Sequence, residues 1–267
     1  MIIRFSKYHG TGNDFIMIDN RSSVLRTSVK TNDLIAHLCH RRFGIGADGL
    51  ILINSSHKAD FEMIYFNSDG REGSMCGNGG RCAVSFANSL GIIKDKTIFT
   101  ATDGIHEAEI LKKEKESTEV SLKMQDVKGI EKHNNFYLLN TGSPHYVCFR
   151  KNVKELDILN EGRRIRYSKD FAENGINVNF AEVADDSIFV RTYERGVEDE
   201  TLSCGTGSTA TAIAASLAGL CNSNTFCNIK TLGGNLTVKF QKISDTEFDN
   251  VWLEGPAVCA FKGEVII

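Results

Sequence analysis

Four stretches alternate apolar and polar side chains with a period of two: Phe61–Phe66, Glu119–Met124, Ser187–Tyr193 and Asn235–Phe240. That period turns one face of a strand toward a core and the other toward solvent. Two further stretches follow another rule. After Cys76 the chain runs through Cys82-Ala83-Val84-Ser85-Phe86-Ala87 to Gly91, and after Cys204 through Thr209-Ala210-Thr211-Ala212-Ile213-Ala214-Ala215 to Gly219. Both predict helices, each stopped by a glycine suited to the left-handed position past a helix end. Small or apolar residues occupy most of their faces, so both helices are expected to be buried, and in a strand-rich chain the covering must be sheet.

The two helical segments align without gaps at an offset of 128 residues, which sets Cys76-Gly77-Asn78-Gly79 on Cys204-Gly205-Thr206-Gly207, Ala87 on Ala215 and Gly91 on Gly219. Strand, polar loop, Cys-Gly-x-Gly, buried helix and glycine stop recur in the same order. The expected fold class is therefore α/β (α+β): two pseudo-symmetric domains, each a curved mixed β-sheet or barrel wrapped around a central helix.

The chain has 267 residues, enough for one large domain or two of ordinary size. With 41% apolar and 24% charged residues, disorder is excluded as the main state. The 31 basic and 34 acidic residues leave a net charge of −3, with no basic excess that points to nucleic acid. The mixed-sign run Lys112–Glu116 reads as a solvated loop or hairpin tip. No apolar stretch approaches the ~20 residues that span a membrane, and the first residues lack a signal-peptide pattern. A cytoplasmic protein with reduced thiols is expected. The eight cysteines fit that setting. No Cys-x2-Cys pair exists, Cys76/Cys82 and Cys221/Cys227 are too widely spaced for a zinc ribbon, and no metal site is expected. Most of the eight read as small buried hydrophobes.

Cys76 and Cys204 depart from that reading because each begins a predicted helix. The first N–H groups of a helix have no partner within it and carry partial positive charge. A thiolate is stabilised there. The glycines that follow let a carboxylate approach the same N–H groups. Each turn thus offers a base beside an anion cradle, and two such turns suggest one shared cleft. Two thiols suit inversion at a carbon: one thiolate removes a proton while the other thiol returns one to the opposite face. Gly10-Thr11-Gly12 is too short for a dinucleotide fingerprint.

Gly12-Asn13-Asp14-Phe15, Gly44-Ile45-Gly46-Ala47-Asp48-Gly49, Asn67-Ser68-Asp69-Gly70, Met75-Cys76-Gly77-Asn78-Gly79-Gly80-Arg81-Cys82, Pro144-His145, Gly175-Ile176-Asn177-Val178-Asn179-Phe180, Tyr193-Glu194-Arg195-Gly196 and Cys204-Gly205-Thr206-Gly207 occur in that order. In these motifs the chain resembles the diaminopimelate epimerase family. The resemblance implies interconversion of LL- and meso-2,6-diaminopimelate without a cofactor, pyridoxal phosphate included, in lysine and cell-wall precursor synthesis. By carry-over, Cys76 and Cys204 are the catalytic acid/base pair. Gly77, Asn78, Gly205 and Thr206 would hold the reacting carboxylate, and Asn13, Asn67, Asn177, Glu194 and Arg195 would bind the remaining charges of the substrate. The planar fork of Arg195 suits the distal carboxylate. His145 and Glu194 match positions that tune the two thiols.

The resemblance also implies domains of residues 1–126 with 257–267, carrying Cys76, and 127–256, carrying Cys204. The expected partner is the small-molecule substrate, with no nucleic acid and no membrane; a homodimer is left open. One departure stands out: the family often has Gly-Asn-Pro-His where this chain has Gly142-Ser143-Pro144-His145, so a shorter side chain faces the distal end of the substrate. Alternatives are a proline- or histidine-type racemase of the same fold and, from another class, a non-enzymatic thiol or metal-binding module.

Overall fold

A computed structural model describes residues 2–25 and 29–267. Two compact units divide the chain, residues 1–122 with 255–267 and residues 123–254. The first contains β1 (Ile2–Gly10), β2 (Asn13–Asp19), α1 (Val29–Cys39), β3 (Gly49–Asn54), β4 (Phe61–Asn67), β5 (Glu72–Gly73), α2 (Gly77–Ser89), β6 (Lys96–Ala101), β7 (Gly104–Lys113) and β8 (Ser117–Lys123). The second contains β9 (Val127–Lys128), β10 (Glu131–Lys132), β11 (Tyr137–Asn140), β12 (Pro144–Phe149), α3 (Ile158–Arg166), β13 (Asn177–Ala184), β14 (Ser187–Glu194), β15 (Asp199–Thr201), α4 (Gly205–Leu217), β16 (Phe226–Thr231) and β17 (Gly234–Ser244). A last long strand, β18 (Glu247–Ile266), starts in the second unit and finishes in the first.

In the first unit the hydrogen bonds pass from β1 through β2, β3, β4, β6, β7 and β8 to the end of β18, which pairs back onto β1. These strands close a barrel, with β2–β3 and β4–β6 parallel and the other pairs antiparallel. In the second unit β11, β12, β13, β14, β16, β17 and the start of β18 repeat that order, again with the second and fourth pairings parallel. β9 pairs with β18 and packs against β11, completing the circuit.

The helices follow from their surfaces. α2 touches β1, β2, β3, β4 and β7, and α4 touches β11, β12, β13, β14, β16 and β17, so each lies inside its own barrel. Every α2 residue from Gly77 to Ala87 is buried, as the sequence predicts for a helix without a polar face. Gly91 (φ +72°) and Gly219 (φ +70°) take the left-handed conformation and stop the two helices. The run Gly49–Asn54 is apolar on both faces because both are covered: Leu50 and Leu52 pack with Ile35 and Leu38 of α1, and Ile51 points at α2. In the second unit Val178 and Phe180 meet Ile158 of α3 in the same way.

α1 and α3 are not among the elements that the pattern predicts. Each is short, and α3 (Ile-Leu-Asn-Glu-Gly-Arg-Arg-Ile-Arg) carries too many charges to read as an apolar stripe; Asp157 caps it by accepting from Asn160 N. The mixed-sign run Lys112–Glu116 does form a hairpin tip, closed by Glu114 N donating to Ser117 O. Among the described residues no helix is long and apolar enough to cross a membrane.

Candidate active site

Both cysteines cap their helices in extended conformation, Cys76 at φ −109°, ψ 146° and Cys204 at φ −112°, ψ 116°. Each carbonyl receives the first helical hydrogen bond, from Gly80 N and from Ser208 N, both at 2.8 Å. Gly79 N donates to Cys76 Sγ at 3.2 Å, and Cys204 Sγ stands 3.4 Å from Thr206 Oγ1. Gly79 and Gly207 are needed for room. A Cβ on Gly79 would lie 3.1 Å from Cys76 Sγ and from Ile51 Cδ1, and one on Gly207 would lie 2.4 Å from Asn179 Oδ1 and 3.4 Å from Cys204 Sγ. Both pairs of contacts relate by the 128-residue offset, since Ile51 maps onto Asn179.

In the first unit the structure brings Asn13 and Asn78 together. Thr11 (φ +48°) and Gly12 (φ +89°) turn the chain so that Asn13 Oδ1 accepts from Asn78 Nδ2 at 3.3 Å, while Asn13 Nδ2 donates to Asp48 at 2.8 Å. Asp48 is held in turn by Arg41 at 2.6 Å, and Arg41 and Lys7 both grip Asp14. Burial alone would raise the Asp14 carboxyl, but the hydrogen bonds from Arg41 and Lys7 outweigh it and hold the group well below the carboxylate range. Asn67 lies at the exposed end of β4, where its Oδ1 accepts from Tyr65 OH at 3.0 Å. Arg81, fully buried on α2, donates to Gly77 O at 3.1 Å and to Asn78 Oδ1 at 2.9 Å.

In the second unit Asn177, Ser143 and Arg195 form one cluster. Asn177 Nδ2 donates to Ser143 Oγ at 2.8 Å and to Pro144 O at 3.0 Å, Asn177 Oδ1 accepts from Arg195 N at 2.9 Å, and Arg195 Nη2 reaches Ser143 Oγ at 3.3 Å. Ser143 therefore serves as an acceptor for both neighbours. Arg195 is exposed, donates to Asn174 O at 2.9 Å and has no carboxylate partner among the described residues. Glu194 Oε2 accepts from Thr201 Oγ1 at 2.9 Å. Thr206, beside Cys204, is tied to the β11–β12 turn by Thr141 Oγ1, which donates to Thr206 O at 2.9 Å.

His145 is fully buried, and its Nδ1 meets Asn179 Nδ2 at 3.1 Å. Burial first, and the Arg195 charge second, lower its pKa from 6.5 to about 3, so the ring is neutral. Asn179 also donates to Tyr146 O at 3.0 Å and accepts from Thr192 Oγ1 at 2.9 Å. Burial pushes the thiols of Cys39 to about 12 and Cys148 to about 11, which suits packing residues. Among the described residues no group of three or more His, Cys, Asp and Glu is placed to hold a metal ion.

Sequence reasoning misses Arg81, Asn179 and the Lys7–Asp14–Arg41–Asp48 network. A signal for Asn179 was present: two residues after Asn177, it must share that strand's inward face. Arg81 gave none, since an arginine in a helix is ordinarily exposed.

The diaminopimelate epimerase family model matches residues 5–128 and 137–259. A diaminopimelate epimerase of Flavobacterium psychrophilum is 51% identical over 97% of this chain and 99% of its own length. Among solved structures, a PhzF-family phenazine biosynthesis protein of Bacillus anthracis superposes with a TM-score of 0.74 at 14% identity, covering all of both chains. A hydroxyproline epimerase of Agrobacterium vitis does so with a TM-score of 0.70 at 13% identity, covering 99% of this chain and 92% of its own. At such identities these two structures establish the shared fold only. The family match and the close relative establish more: the chain belongs to the diaminopimelate epimerase family and is an isomerase of the epimerase kind.

Proposed function

We propose that the chain interconverts LL- and meso-2,6-diaminopimelate, without a cofactor, as a step of lysine and cell-wall precursor supply. The observation that carries this reading is the pair of equivalent turns in which Cys76 and Cys204 each cap a buried helix. One thiolate removes the α-proton, and the other thiol delivers a proton to the opposite face. As the proton leaves, negative charge spreads onto the α-carboxylate. The N–H groups of Gly77 and Asn78 and of Gly205 and Thr206, which helix geometry leaves without partners inside the helix, stabilise that charge. Arg195 takes the distal carboxylate, and Glu194 with the asparagines Asn13, Asn67 and Asn177 takes the amino groups. His145 and Glu194 tune the thiols. The expected location is the cytoplasm.

A proline- or histidine-type racemase is the second reading, and the fold shared with a hydroxyproline epimerase keeps it in view. It leaves Arg195 and Glu194 without charges to bind. The test is exchange of the α-proton in deuterated water for diaminopimelate, proline and histidine, with wild type, Cys76→Ala and Cys204→Ala. Exchange of diaminopimelate alone is expected, with interconversion of its stereoisomers lost by more than a hundredfold in each variant. Full-speed equilibration by either variant would overturn the two-thiol mechanism, and exchange of proline or histidine would favour the second reading.

A further inference from the structure

The two Cys-Gly-x-Gly turns share backbone geometry but not charge. At equivalent positions of the two helices, Arg81 Nη1 donates to Gly77 O at 3.1 Å and Thr209 Oγ1 donates to Gly205 O at 2.9 Å. One helix start therefore carries a guanidinium where the other carries a hydroxyl. Arg81 is fully buried, its Nε has no hydrogen-bond partner among the described residues, and none of their carboxylates stands within ion-pair distance. Its neighbours Gly77 O, Asn78 Oδ1 and Thr11 Oγ1 are all neutral. A buried charge without a counter-charge is costly, and arginine does not escape the cost by losing its proton. An anion must therefore balance it during the working cycle. The acids that its charge senses are the Cys82 and Cys76 thiols and the more distant Glu119 carboxylate. Burial drives the Cys82 thiol far up, so that group stays protonated. Cys76 is left. At the equivalent place the second turn carries the hydroxyl of Thr209, and the Asn179–His145 pair lies beside Gly207.

We propose that Arg81 is a positioning residue that sets the resting distribution of protons, holding Cys76 as the thiolate and leaving Cys204 as the thiol. The inference rests on the two-thiol reading. Arg81 also fixes the local frame. Its hydrogen bond to Asn78 Oδ1 turns Asn78 Nδ2 toward Asn13, so the same guanidinium orients both asparagines beside the thiolate.

The test is the pH profile of alkylation by iodoacetamide, resolved by mass spectrometry at Cys76 and at Cys204, in the substrate-free full-length protein. Profile midpoints, unlike rates, do not depend on how open each thiol is. In wild type the Cys76 midpoint is expected at least one unit below that of Cys204. Arg81→Met should raise the Cys76 midpoint by about one unit or more, a tenfold loss of thiolate at neutral pH, and leave Cys204 unmoved or lower. Arg81→Lys, which keeps the charge and loses the fork, should restore most of the shift. A merely structural role predicts the same loss in both variants and no movement of midpoints, and would overturn the proposal. So would a wild-type Cys204 midpoint below that of Cys76, a result that needs no variant to fold. If instead Cys76→Ala equilibrates the two stereoisomers at full speed, the two-thiol reading fails whatever the profiles show.

Discussion

Asn179 settles which nitrogen of His145 carries the proton. Its Nδ2 must donate to the carbonyl of Tyr146, so the same amide nitrogen donates to Nδ1, which accepts, and the hydrogen resides on Nε2. That Nε2–H is buried without a partner among the described residues. The neutral ring has a thermodynamic signature. Its folded pKa, about 3, lies below the ordinary 6.5, so the unfolded chain binds the proton first as pH falls. The stabilisation is complete above about pH 6.5 and is lost as pH falls toward 3. Between pH 7.5 and pH 5 the urea stability should drop by about 2 kcal/mol from this group, and His145→Gln should flatten that slope. An unaltered slope would mean that the folded ring takes up its proton as readily as the unfolded one. Much at this scale was legible: cysteines at helix starts announce themselves through the glycines after them. The acceptor role of Ser143 was not, because its partners Asn177 and Arg195 come from distant segments that only folding brings to it.

The turn after each cysteine tolerates different things on its two copies. In Gly207→Ala the new methyl would meet Asn179 Oδ1 at 2.4 Å, and that oxygen belongs to an amide held by three hydrogen bonds. A cost of about 1–3 kcal/mol is expected from such overpacking, read from urea unfolding. In Gly79→Ala the methyl would meet the tips of Ile51, Met63 and Cys76 at 3.1–3.4 Å, which can yield, so the loss should be smaller. Equal losses would show that Asn179 is not rigid. Both buried helices could be read from their missing polar face, and their ends from Gly91 and Gly219. α1 and α3 escaped because helices on the outside of a barrel need only a narrow apolar stripe, supplied here by a few residues such as Ile35 and Leu38 or Ile158.

For the molecule as a whole, the repeat at an offset of 128 residues gave the doubled architecture, since a buried helix cannot be covered except by its own sheet. The order of strands within each barrel was not legible, because parallel pairings such as β2–β3 and β4–β6 join segments separated by a helix or a loop. The proposed two-thiol mechanism has a consequence at this scale. Thiols that reach opposite faces of one carbon, roughly 6–7 Å apart, can approach further when no substrate separates them. Treating the empty enzyme with hydrogen peroxide should link Cys76 to Cys204, two thiols giving a disulfide and water, and substrate should protect; persistent absence of the linked peptides would count against a common reaction centre. A second expectation concerns β18. Deleting residues 259–267 removes the partners of Ile2–Tyr8 and should expose β1 as an edge that aggregates, measurable by light scattering.

That shared last strand also reverses the order in which a ribosome can deliver finished parts. The barrel built from the later residues, 123–254, has all its strands once Glu254 has emerged. The barrel begun by the earliest residues must wait, with a seam open between β1 and β8, until residues 255–267 have been translated. During synthesis the half made first is thus the half completed last, and it is the one most in need of protection by a chaperone.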